Sequence, residues 1–334
     1  MRQFHRVVLL LLFCCTTTAV AQPAVRRGMV RTDAFWSQSL GVVKKLVVYL
    51  PPSYADTAAS AERRYPLAVY LHGAYGSETD WPVHGKLNSV MDSLIATGMG
   101  EMIVVMPDGD DGWWTTWHGL NDLPACRRAQ RQENADTYCV PWPKYDDYVA
   151  RDVIRYVDSL YRTIPRRESR AIAGLSMGGY GAISLAARYP DTFAVAASHS
   201  GVLRPALIAD SSAVGPAGSV TMRDARTPAE YRAAPSVRWE HIAPAFGTDS
   251  VSWMSRDPAR LIERMLQRGD VLPSLYIDIG TEDDLLAMNR SFRDRMAALH
   301  VPVLYAEWRG RHDWAYWRGH LPESLRFIAE RLVP

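Results

Sequence analysis

The chain has 334 residues, 48% of them hydrophobic, enough to bury a sizeable core. Lys and Arg number 38 against 36 Asp and Glu, a formal net charge of +2. So even a balance gives no basic surface for nucleic acid and no charged face for a strongly acidic partner.

The first residues read as an export leader. Arg2 and Arg6 flank the start of an apolar run at 7–13, and Ala19-Val20-Ala21 supplies a small-x-small cleavage signature before Gln22. Cleaving residues 1–21 removes two Arg and no acid, which leaves 22–334 close to neutral. The apolar run is short for a bilayer span and no later run is long enough, so a secreted or periplasmic protein without stable membrane insertion is expected. Two of the four cysteines lie in the leader. The remaining pair, Cys126 and Cys139, is expected to form a disulfide in an oxidising compartment. With no His cluster beside them they make no zinc site, and no metal or cofactor is expected.

Residues 22–34 read as irregular. Residues 39–50 suggest a hairpin or two strands ending at Pro51-Pro52, and 65–73 a buried strand running into a Gly loop. Helical spacing follows at 84–97, then a buried strand at 102–106. Residues 108–145 read as an excursion holding Trp113, Trp114, Trp117 and the cysteine pair. A helix is expected at 146–162, a strand at 171–173, a helix from 177 to 189 and a strand at 193–198. Residues 202–250 lack lasting periodicity and read as a second, partly helical and lid-like insertion. Helix 257–268, strand 274–279, helix 289–299, strand 303–308 and helix 321–333 complete the chain. Near-continuous apolar strands alternating with helices predict an α/β fold, a doubly wound, mostly parallel sheet. No repeat or linker breaks the pattern, so 22–334 is expected to be one domain with insertions at about 108–145 and 202–250.

The chemistry centres on Gly174-Leu175-Ser176-Met177-Gly178, a Gly-x-Ser-x-Gly pattern between a strand and a helix. A sharp turn there lifts a serine hydroxyl out of the sheet, and the Met177 N–H at the helix start can face a developing oxyanion. A serine needs a base, and the base an orienting acid. In the α/β-hydrolase order the acid follows the serine and the histidine follows the acid, each after a strand. His312 lies just past the last strand and is the expected base; His300 precedes that strand, and His320 is placed at the entry to the final helix. Asp283 is the expected acid, with Glu282 and Asp284 as alternatives. A second oxyanion N–H is expected from the loop after strand 65–73, at Ala74 or else Gly73. His72 reads as a structural residue of that loop, and His199 as a residue that could line the site. Trp113, Trp114 and Trp117, with Trp314 and Trp317, form a candidate aromatic platform for a sugar, aryl or acyl group, ordinary packing being the alternative.

These motifs bear a resemblance to a known family. The segments 39–41 with 48–54, 70–73, 106–109, 174–182, 280–283 and 310–317 occur in the order found in esterase D-like α/β-hydrolases. That family includes S-formylglutathione hydrolases, tributyrin esterases, feruloyl and acetylxylan esterases and mycolyltransferases. The resemblance covers nearly everything from residue 29 onward and implies Ser176 as nucleophile, Asp283 as acid and His312 as base. It implies a serine carboxylesterase acting on a small-molecule or polysaccharide-linked ester, such as an acetyl or feruloyl ester. Two other readings stand beside it: an acyltransferase passing the acyl group to a sugar or lipid alcohol, and a non-catalytic binding protein on a hydrolase scaffold. The two excursions are longer than the family pattern, and the resemblance implies that they lie near the site entrance, where members of that family set substrate choice.

Overall fold

A computed structural model describes residues 25–56, 62–130, 133–214, 220–232 and 239–334. The expected leader, 1–21, lies outside the described residues. Among the described residues there are ten strands: β1 (Met29–Ser37), β2 (Val42–Leu50), β3 (Leu67–Leu71), β4 (Ile103–Pro107), β5 (Arg170–Leu175), β6 (Val195–His199), β7 (Leu207–Val214), β8 (Val220–Asp224), β9 (Ser274–Gly280) and β10 (Val303–Trp308). Eight of them form one sheet in the order β1-β2-β4-β3-β5-β6-β9-β10. β2 runs antiparallel to β1 and β4, and all pairs from β4 to β10 are parallel. The architecture is the expected α/β one, with helices on both faces of a mostly parallel sheet.

Burial explains why these strands are so apolar. Every residue of β3, Leu-Ala-Val-Tyr-Leu, is fully buried, because helices cover both faces. Each such Leu or Val contributes about 1.5–3 kcal/mol relative to exposure. The sheet separates two apolar layers. One packs Trp114, Tyr148, Ile183 and Phe292, and the other packs Trp81, Met91, Trp317 and Leu325.

Three expectations change. Residues 29–34, read as irregular, belong to strand β1: only Asp33, Phe35 and Ser37 of it face inward, so the alternation is too brief to read. The 202–250 stretch is partly helical, with helices Pro228–Arg232 and Trp239–Phe246, but they follow an unexpected antiparallel pair, β7 with β8. The last helix is Trp314–Ala329 and starts seven residues earlier than read. Asp313 caps it, its Oδ1 accepting from Tyr316 N–H at 3.0 Å, while Pro322 sits inside the helix and His320 in its middle.

The strand order reverses between β3 and β5: the chain leaves β3 for β4 on one side and returns to β5 on the other. In such sheets the crevice at the carboxyl ends beside the reversal is the natural place for a ligand. The loop after β3 and the turn after β5 both open there.

Candidate active site

Ser176 follows β5 directly and precedes the helix Met177–Arg188. Its backbone has φ 54° and ψ −116°, a region that costs a residue with a side chain about 1–3 kcal/mol. Two glycines make the turn possible. A Cβ at Gly174 would lie 2.4 Å from Gly178 C and O, and one at Gly178 would lie 2.4 Å from Leu71 O. No larger residue can stand at either place without moving backbone. The first N–H groups of that helix have no intrahelical partner, so Met177 N–H is placed to meet negative charge.

Two other loops converge on the serine. Asp283 follows β9 and is 5% exposed, and its Oδ1 accepts from Leu285 N–H at 2.8 Å. His312 follows β10. Its Nδ1 stands 2.9 Å from Asp283 Oδ2 and its Nε2 2.9 Å from Ser176 Oγ. With Nδ1–H donated to the carboxylate, Nε2 carries the lone pair and accepts from the serine hydroxyl. Trp317 meets the imidazole edge-on, 4.9 Å between ring centres. The alternative acid Glu282 turns outward, to Arg309 Nε at 3.1 Å.

The loop after β3 abuts the elbow. A Cβ at Gly73 would lie 2.6 Å from Leu175 Cδ1 and 3.5 Å from Ser176 Cβ, so the loop backbone at Gly73 stands beside the serine, and Ala74, next in the chain, is exposed to solvent. His72 is the peg that shapes this loop. Its Nε2 accepts from Gly109 N–H at 2.9 Å, so Nδ1 carries the proton and donates to Gly73 O at 2.8 Å. Behind it Lys44, fully buried, holds Asp108 at 2.7 Å and Asp110 at 2.6 Å. Asp111 Oδ1 accepts from Tyr75 N–H at 2.6 Å. Burial and a hydrogen bond with the Glu133 carboxyl push Asp111 up to about 7, against the lowering by Tyr75 N–H.

Other expected site residues fall elsewhere. Trp113, Trp114 and Trp117 are 5%, 0% and 5% exposed, so they form no open platform. Trp114 Nε1 donates to His72 O, Trp117 Nε1 donates to Gly112 O, and Trp113 packs on Tyr180 and Phe246. Three apolar rings in a polar loop pack inward because no surface there could leave them wet at low cost. Their contacts tie the two excursions together, with His118 N–H donating to Ala245 O at 3.0 Å. His199 is also fully buried and cannot line the site. Trp317 is buried behind His312, while Trp314 is half-buried and stands at 5.4 Å from the rings of Trp81, His84 and Trp317. Cys126 and Cys139 are joined by a disulfide. Asp278, an acid of the same segment as Asp283 that the sequence places within the strand, is buried away from the site, and an Asp inside the apolar run Leu275-Tyr276-Ile277-Asp278-Ile279 signals a buried partner. Ser324 and the Lys44 cluster gave no sequence signal.

Among known families, the Esterase model matches residues 37–328. An endo-1,4-beta-xylanase/feruloyl esterase of Xylanibacter ruminicola is 31% identical over 173 residues, 51% of this chain and 21% of that protein. The chain thus matches about a fifth of that relative's length. An acetyl esterase of Caldicellulosiruptor saccharolyticus is 24% identical over 260 residues, 76% of this chain and 84% of its own. A solved ferulic acid esterase superposes with a TM-score of 0.66 at 25% identity, covering 92% of this chain and 99% of the other.

Proposed function

From the premise that the chain belongs to the Esterase family, we propose that it hydrolyses carboxylic esters through an acyl-enzyme on Ser176. The observation that carries the reading is one imidazole 2.9 Å from both the Asp283 carboxylate and the Ser176 hydroxyl. His312 Nε2 takes the Ser176 proton as Oγ attacks the acyl carbonyl, and Asp283 steadies the imidazolium that forms. Met177 and Ala74 N–H groups receive the oxyanion. His312 then hands its proton to the leaving alcohol, and water, deprotonated by the same ring, releases the acid.

The relatives named feruloyl and acetyl esterases support a small acyl or aryl-acyl ester, carried on a small molecule or a polysaccharide. Half-buried Trp314, two residues after His312, is the aromatic surface available to such a group. The cleavage signature at 19–21 and the disulfide support export, with 22–334 acting as a single esterase domain. The test is Ser176→Ala, assayed with p-nitrophenyl acetate, methyl ferulate and acetylated xylan. Turnover should fall by about 10⁴-fold or more with the fold unchanged. Turnover equal to that of the unaltered protein would end the reading. Product formed on an added acceptor alcohol in preference to water would assign acyl transfer instead.

A further inference from the structure

Beneath the site lies a second Ser–His–Asp set that no solvent reaches. His199, Asp278 and Ser324 are each fully buried. His199 Nε2 is 2.8 Å from Ser324 Oγ, and its Nδ1 is 2.7 Å from Asp278 Oδ2, a contact bent away from good hydrogen-bond geometry. Ser324 Oγ also lies 3.1 Å from Leu321 O, so its single proton is shared between that carbonyl and the His199 ring, in the direction the ring tautomer sets. Tyr276 and Tyr316 turn their hydroxyls toward Asp278 without good geometry; burial and that carboxylate push both phenols far up. Apolar replacement of such a buried charged set is often neutral or stabilising, so stability alone is a poor reason for it. Its placement supplies a better one.

Each member belongs to an element that carries part of the site. His199 ends β6, and its carbonyl accepts the Ser176 N–H at 2.9 Å. Asp278 lies in β9, just before the Asp283 loop, and its carbonyl accepts the Ser200 N–H at 2.8 Å. Ser324 and Tyr316 lie in the helix Trp314–Ala329, which begins two residues after His312. A Cβ at Gly310, in the His312 loop, would lie 2.5 Å from Tyr316 Cδ2. One buried knot therefore joins the serine turn, the acid loop and the base loop.

We propose that His199, anchored by Asp278 and Ser324, is a positioning residue that keeps Ser176, Asp283 and His312 in register. This rests on the reading of Ser176 as nucleophile. The test compares Ser324→Ala, Ser324→Thr and His199→Gln with the unaltered protein and with Ser176→Ala. Active sites are counted by fluorophosphonate labelling, and p-nitrophenyl acetate turnover is expressed per labelled site. In Ser324→Ala and His199→Gln, kcat per site should fall about tenfold or more, as expected for a misplaced catalytic group, with KM within about twofold. Labelling should slow by the same factor, and Ser324→Thr, which retains the hydroxyl, should recover at least half of the rate. If only the labelled fraction or Tm falls while kcat per site holds, the set is structural and the proposal is overturned. If His199→Gln does not fold, the Ser324 pair decides alone. Turnover surviving in Ser176→Ala overturns the nucleophile assignment and this proposal with it. A dead Ser176→Ala beside unchanged Ser324→Ala and His199→Gln overturns the positioning role alone.

Discussion

Ser176 Oγ and His312 Nε2 stand 2.9 Å apart, although 136 positions separate them in the chain. The contact makes the hydroxyl ready to lose its proton, but only while Asp283 keeps the ring proton on Nδ1.

Asp283→Asn should therefore reduce kcat by about 10⁴-fold, because an amide can donate to Nδ1 and so turn the wrong tautomer toward Ser176. Glu282→Gln, whose partner is the exposed Arg309, should change kcat by less than about twofold, as for an exposed ion pair. Steady-state kinetics on the two variants checks both. Similar losses in the pair would remove Asp283 from the role.

His72→Ala should damage both stability and rate. It orphans the buried Gly109 N–H, which costs about 1–3 kcal/mol. It also frees Gly73 O and with it the loop that presents Ala74. A fall in kcat of about 10–100-fold is expected, less than the roughly 10²–10³-fold that outright loss of an oxyanion donor costs, since the donor is displaced and not removed. Urea melts and kinetics measured side by side would show it; a melt shift with normal kcat would deny the loop its part.

Asp111 sets a pH dependence of stability. Its folded-state value, about 7, lies above the ordinary carboxylate range, chiefly through burial. Between about pH 4 and 7 the folded state thus holds a proton that the unfolded chain has released, so its contribution is full below the ordinary carboxylate value and is lost progressively as pH rises through about 7. Asp111→Asn keeps an acceptor for Tyr75 N–H and should flatten that slope. Tm measured from pH 4 to 8 for both proteins is the check: parallel curves would refute it.

The Cys126–Cys139 bridge closes a loop with a sequence separation of 13, so opening it should cost about 3 kcal/mol. Reduction should lower Tm by about 5–10 °C. It should also loosen the excursion that carries Glu133. Intact mass before and after reduction, with alkylation, counts the thiols; two free thiols in unreduced protein would contradict the bridge.

Much of the fold was legible because burial writes itself into composition. Strands covered on both faces, such as Ile103–Pro107 and Ser274–Gly280, leave runs that match their boundaries closely. The hairpin Leu207–Val214 with Val220–Asp224 left no such trace, because its pairing is local and its residues include Asp, Ser and Ala. The start of the last helix was hidden by Pro322, which reads as a helix start but lies within one. The tryptophans at 113, 114 and 117 show the limit most plainly. Composition says that large rings cluster there, and only the fold says that they face inward.

What the sequence alone determined is the order of chemistry along the chain: a serine between glycines, then acids after one strand, then a histidine after the next. Local backbone rules suffice for that, since a Gly-x-Ser-x-Gly turn and strand-end loops are set by neighbours in the chain. Tertiary structure decided which acid turns inward, since Asp283 and Glu282 are adjacent and only the packing of β9 against β10 separates their directions. It also decided that His199 belongs to the interior and His312 to the site. Distances between residues far apart in sequence arise from how the sheet stacks its strands, and no local pattern encodes them.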